Sequence, residues 1–106
     1  MPTTEIKFRV LLFRDGPVWV SQCLDYDLNS QGQTPRDAVA SVARVVATRA
    51  LLDMKAGIEP LSQMRPAPEQ YNEMLHDTYS LGASDFPPVS TKEVRATPSE
   101  LRLQLQ

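Results

Sequence analysis

Few side chains in this 106-residue chain could do chemistry, and their spacing narrows what that chemistry would be. Cys23 and His76 are the single cysteine and the single histidine. A cysteine nucleophile needs a base beside it, and no pattern in the sequence brings these two together. Cys23 lies in the alternating run 18–24 (VWVSQCL) and reads as a small packing residue on the second face of a sheet. His76, beside Glu73 and Asp77, reads as a solvated side chain on a helix flank. One histidine rules out a multi-histidine metal site within the chain, and one cysteine cannot close an internal disulfide. Asp25 and Asp27 flank Tyr26 in CLDYDL. Carboxylates two apart on a strand share a face and could ligate a divalent cation, with Glu5 at the start of the neighbouring strand. No further acidic residue is tied to them by pattern, so a solvated strand end is the main reading. A metal-assisted hydrolase using Asp25 and Asp27 stands as the catalytic alternative. No catalytic, cofactor-binding or metal-ligating residue is assigned.

The composition agrees with a single small domain. The chain is 42% hydrophobic and 23% charged, with net charge −2 and a pI near 5.3. That balance argues against a protein whose main task is to coat nucleic acid or an anionic membrane. The four glycines are isolated, so there is no phosphate-cradling loop, and there is neither a basic helix nor an aromatic ladder. No apolar run approaches the roughly 20 residues of a membrane helix, and no secretory leader is recognisable. A cytoplasmic location, no cofactor and no direct nucleic-acid binding are expected.

Residues 5–13 alternate, with Ile6, Phe8, Val10 and Leu12 on one face. Residues 18–24 repeat the pattern, and Arg14-Asp15-Gly16-Pro17 between them signals a hairpin. Pairing residues whose numbers sum to an even value collects Ile6, Phe8, Val10, Leu12, Val18, Val20 and Leu24 on one apolar face, which predicts an odd-length loop. Trp19 would then join Leu11 and Phe13 in a patch on the second face. Such a patch is a partner surface if open, and core if the second half of the chain covers it. Residues 26–31 predict a short third strand ending at Gly32. Thr34 as N-cap, Pro35 in the first turn and Asp37 at the positive end predict a helix running to about Ala56 and stopped by Gly57. Its apolar arc, pictured against the even-numbered hairpin residues through Val39, Val42, Val46 and Ala50, is wider than one sheet contact requires. The excess, Val45 and Leu52 with an Arg49–Asp53 pair at its rim, reads either as a well-covered helix in a small domain or as a homo-oligomer contact.

After Gly57 the composition turns proline-rich, with six of the nine prolines from Pro60 onward. Tyr71, Met74, Leu75 and Thr78 recur at helical spacing and predict a short helix over 68–80. Residues 81–99 carry Pro87-Pro88 and read as a loop or extended arm. The tail ELRLQLQ sets Leu101, Leu103 and Leu105 against polar neighbours, which predicts a strand over 100–106 added at a sheet edge, its own or a partner's.

The stretch GPVWVSQCLDYDLNSQGQTPRDAVASVARVV resembles the amino-terminal domain of the HicB-like antitoxin family. The likeness rests on the hairpin from Gly16 to Leu24, the segment Tyr26 to Ser30, the step Gly32-Gln33-Thr34 and the pair Asp37-Ala38, and it covers residues 5–55. It implies a truncated ribonuclease-H-like path, β-β-β-α followed by a further strand. It also implies a module that binds a small basic ribonuclease toxin. Complete family members carry a separate DNA reader, and one short helix after Gly57 is too little to build one. The acidic set of a ribonuclease H is not recognisable here.

The expectation is therefore an α+β domain: a small curved, mainly antiparallel sheet in the order β-β-β-α-α-β, with one long helix packed on one face. Residues 1–57 would form the core, and 58–106 the second helix, the proline-rich arm and an edge strand. The expected role is a non-catalytic antitoxin-type binder that occludes a basic toxin, forming a dimer or tetramer. An orphan self-assembling protein is the other alternative. Trp19, Asp25, Tyr26 and Asp27 are the residues assigned to the partner. Val45, Arg49, Leu52, Leu101, Leu103 and Leu105 are assigned to self-association.

Overall fold

In the computed structural model, which describes residues 2–105, the chain opens with three antiparallel strands: β1 (Thr4–Asp15), β2 (Val18–Cys23) and β3 (Asn29–Gly32). Asp15 stands opposite Val18 and Val10 opposite Cys23, so the hairpin turns on two residues, Gly16 and Pro17. Gly16 has φ +60° and proline holds φ negative, the combination of a type II′ turn that suits the twist of the paired strands. The odd-length loop and even-sum register are thus corrected. Trp19, Ser21 and Cys23 share a face with Phe8, Val10 and Leu12, whereas Val20 and Leu24 lie with Leu11 and Phe13 on the other. Grouping every even-numbered apolar residue on one face assumed a wet second face. Both faces are covered at this end of the sheet, so both take apolar side chains.

Helix α1 (Pro35–Lys55) lies across the first face. The Thr34 side chain accepts from the Asp37 backbone N–H at 3.0 Å, satisfying one of the unpaired donors of the first turn. Gly32 is pressed against that turn: a Cβ there would sit 2.6 Å from the Ala38 backbone nitrogen. Val39, Val42, Val46 and Ala50 meet Phe8, Val10 and Leu12 in the main core, as expected. Ser21, buried beside them, donates to the Ala38 carbonyl at 2.7 Å. The second face holds a smaller cluster, Leu11, Leu24 and Ala67, under the half-buried Phe13, Tyr71, Met74 and Leu75.

The second half departs most from expectation. Helix α2 spans only Glu69–Met74 and tightens into a 3₁₀ turn over Leu75–Asp77, after which β4 (Thr78–Leu81) begins. The Thr78 hydroxyl donates to the Leu75 carbonyl at 2.7 Å and accepts from Arg102 Nε at 2.9 Å, which draws the chain out of the helix and onto the sheet. The expected loop over 81–99 contains the two-residue β5 (Val89–Ser90) and the start of β6 (Val94–Gln104). β6 is not an edge strand. The sheet order is β3-β2-β1-β6-β4, with β5 also paired to β6, so β6 lies inside its own sheet, parallel to β1 and antiparallel to β4 and β5. The result is an α+β fold with a curled mixed sheet of six strands rather than three or four, every pairing but β1–β6 antiparallel.

A bulge explains why β6 was half hidden. Phe8 pairs with Pro98 and Arg9 with Glu100, leaving Ser99 as the extra residue. Val94, Ala96 and Pro98 face inward before the bulge and Leu101 after it, a change of phase that breaks the alternation. Proline lacks the ladder N–H and is tolerated inside a sheet at such bulges. The Ser99 hydroxyl donates to the Phe8 carbonyl at 3.1 Å across the gap.

Candidate partner-binding surface

The partner residues assigned from sequence do not form one patch. Trp19 is half-buried against the helix-side core near the hairpin turn, with the Arg14 guanidinium 5.7 Å from its ring, and so does not join Leu11 and Phe13. Asp25 lies past the other end of β2, six residues and about 20 Å of extended chain away. There its carboxylate accepts from the Arg9 backbone N–H at 2.8 Å and from Arg9 Nε at 3.0 Å, with Nη2 at 2.9 Å. The hydrogen bond to Asp25 holds the Arg9 guanidinium above its ordinary pKa. Asp25 and Asp27 lie in a bend between β2 and β3, not on a strand. The Asp27 carboxylate is exposed and accepts from Gln22 Nε2 at 3.2 Å. Tyr26 is half-buried against the helix-side core, and burial raises its pKa. Among the described residues, no three of His, Cys, Asp and Glu stand close enough to hold a metal ion.

Cys23 is fully buried on the helix side, not on the second face, and burial pushes its thiol up to about 11. A thiol so raised is protonated at neutral pH and chemically quiet. His76 is exposed in the turn before β4.

The self-association residues fall into two places. Leu101 is fully enclosed in its own core and Leu103 is half-buried, while Leu105 stands exposed beyond the end of β6. Leu105 shares a polar hollow with Tyr79 on the outermost strand β4, and both side chains are more than half open. Val45, Arg49 and Leu52 do come together. They line an open groove of about 410 Å³ on the outer side of α1, with Leu28 forming the opposite wall and Ser41, Arg44 and Thr48 completing it. Leu52, 59% exposed, stands at one end of it.

Asp53 does not belong to the exposed arc in which the sequence placed it. It is buried, 3.2 Å from Arg49 Nε, and its other oxygen accepts from the Leu61 backbone N–H at 2.9 Å. Leu61 has φ +62°, a left-handed conformation costly for a branched side chain, and is buried in the main core. Asp53 thus straps the chain leaving α1 back onto the helix. The acidic residue at i+4 from Arg49 suggested only an ion pair; its backbone partner eight residues on left no periodic signal.

Leu28 escaped the sequence reading because the wall opposite α1 comes from the β2–β3 connection. Tyr79 escaped because β4 was taken into the preceding helix. Among the described residues, no helix is long and apolar enough to cross a membrane. Compared with known proteins, the chain matches no family model, no curated sequence and no solved structure.

Proposed function

We propose that this chain is a non-catalytic, cytoplasmic protein-binding module of the HicB antitoxin type, which neutralises a small basic ribonuclease toxin by covering its active surface. The observation that carries the reading is the chain path. Three antiparallel strands lead through Gly32, packed on the first turn of α1, and Thr34, its cap, into the long helix, after which a later strand returns beside β1. That is the β-β-β-α-β course the resemblance implies. The second face of the sheet carries charges of both signs, Lys7, Arg9 and Arg102 among them, and a basic partner would engage its acidic side chains. Glu100 lies there beside the Arg9–Asp25 pair, and α2, which packs on that face, exposes Glu69 and Glu73. Complementary charge of this kind speeds encounter and fixes orientation. Both Asp25 oxygens are engaged by Arg9, so the hydrolase reading has no support from the geometry.

Co-expression with a short basic chain encoded beside it tests the proposal. A stable complex that silences the partner's ribonuclease activity is expected, weakened by Glu69→Lys with Glu73→Lys. Ribonuclease activity unchanged by excess of this chain would overturn it. Self-association into a dimer is part of the same proposal and is placed at the free edge of β4, where the strand carries neither charge nor proline to block pairing. Light scattering at micromolar concentration that returns a monomer mass would remove it.

A further inference from the structure

We infer that the outer groove of α1 is a docking site for an acidic amphipathic helix of a partner protein, separate from both the toxin surface and the β4 edge. The inference does not rest on the antitoxin reading.

The groove combines an apolar lining with positive charge. Leu28, Val45 and Leu52 give it an apolar floor and walls; Arg44 stands beside that floor with no carboxylate among the lining residues, while Arg49 is paired with the buried Asp53 behind it. Lys55 continues the cationic row in the last turn of α1. Of the two carboxylates on the helix, Asp37 is in the first turn and Asp53 is buried between Arg49 and the Leu61 N–H, offsetting Arg49 alone. Arg44 and Lys55 therefore leave this outer face positive in a chain whose net charge is −2.

Those features select among occupants. Ser41, Val45, Thr48 and Leu52 follow one another at spacings of four, three and four, the seam along which a second helix packs. A second copy of this chain would present the same seam, bringing Arg44 and Lys55 against their own kind. Like charges across an interface cost affinity and suppress such pairing. A small molecule would remain largely open to water in so shallow a groove, whereas ligand sites enclose most of their occupant. A polyanion would satisfy Arg44 and Lys55 but leave Leu28, Val45 and Leu52 without apolar contacts. A helix with leucines seven residues apart and glutamates flanking them answers both demands.

The test uses a fluorescent helical peptide of about 14 residues, four turns, built on that pattern and titrated with the full chain by polarisation. Two further peptides carry lysines for the glutamates, or serines for the leucines. The acidic amphipathic peptide is expected to bind, with affinity falling about ten-fold on Leu52→Glu and about five-fold on Arg44→Glu, and unchanged on Tyr79→Lys. Both control peptides are expected to bind at least about ten-fold more weakly. Circular dichroism of each variant confirms that the fold is kept. No binding by the acidic peptide, equal binding by either control peptide, or binding indifferent to Leu52→Glu would each overturn the assignment. A dimer of the wild type that dissociates on Leu52→Glu would also overturn it, by showing a second copy in the groove.

Discussion

On the helix side of the sheet, one 21-residue helix seals a continuous core in which Phe8, Val10, Leu12, Val42, Val46 and Leu101 are fully enclosed. On the back, three buried apolar residues lie under a cover assembled from a short helix and an irregular segment, and that cover is itself half-exposed. The difference is one of construction. α1 brings its own cap, its own internal hydrogen bonds and an apolar stripe to the sheet. The cover on the back depends on isolated backbone contacts, such as Ala67 N–H to the Leu24 carbonyl at 3.0 Å and Asp27 N–H to the Arg65 carbonyl at 2.7 Å. The front therefore carries most of the stability, and the back can be adjusted for recognition at small cost.

Truncation gives the strongest test of that contrast. Phe8→Ala should cost about 3–5 kcal/mol in chemical denaturation, and Leu75→Ala about 1 kcal/mol, because Leu75 is half open and its neighbours can close over the loss. Similar losses for the two would show that the back is a second core of equal weight. Asp53→Ala tests the strap that carries the chain away from α1. It leaves the Leu61 N–H without its acceptor and should cost about 2–3 kcal/mol, with hydrogen exchange at Leu61 speeding up more than within α1.

The two sides should also answer differently to pH. Cys23 on the front titrates near 11 in the folded protein against 9.0 for an ordinary thiol. The unfolded chain then loses that proton first. Stability is intact below pH 9.0 and falls as the pH climbs toward 11, by about 2–3 kcal/mol. Cys23→Ala should flatten that slope, leaving only the share due to Tyr26, whose raised pKa acts in the same direction. On the back, the Arg9–Asp25 pair is too open to water for its electrostatics to weigh heavily, and Asp25→Asn should change stability by less than about 1 kcal/mol. A larger loss would mean that the pair anchors the bend at 24–27 rather than merely decorating it.

What could be read from the residues follows from how local each signal is. The limits of α1 were legible because Thr34, Pro35 and Gly57 act within a turn of where they stand. The hairpin register was not, since it depends on residues 65–75 arriving to cover the back face. β6 was legible only after the bulge: Ser99 shifts the phase of the alternation, and Pro98 signals an interruption that the bulge absorbs. The groove was half legible for a similar reason. Val45, Arg49 and Leu52 declare themselves by helical spacing, but Leu28, more than a dozen residues earlier, carries no mark that it forms the other wall.

The pairing of β1 with β6 sets the order in which the molecule can assemble. Thr4 meets Val94 and Leu12 meets Leu103, so the middle of the sheet joins segments some ninety residues apart. The hairpin and α1 can form early from neighbouring residues, yet they wait with an open flank on β1 until the last of these strands has left the ribosome. Closing so long a loop is entropically slow, and topologies dominated by distant contacts fold in milliseconds to seconds rather than microseconds. Through that interval the unpaired side of β1 is bare, with Phe8 and Val10 beside it. The nascent chain is then most exposed to aggregation and proteolysis, and a binding partner or chaperone present during synthesis would have its greatest effect on yield.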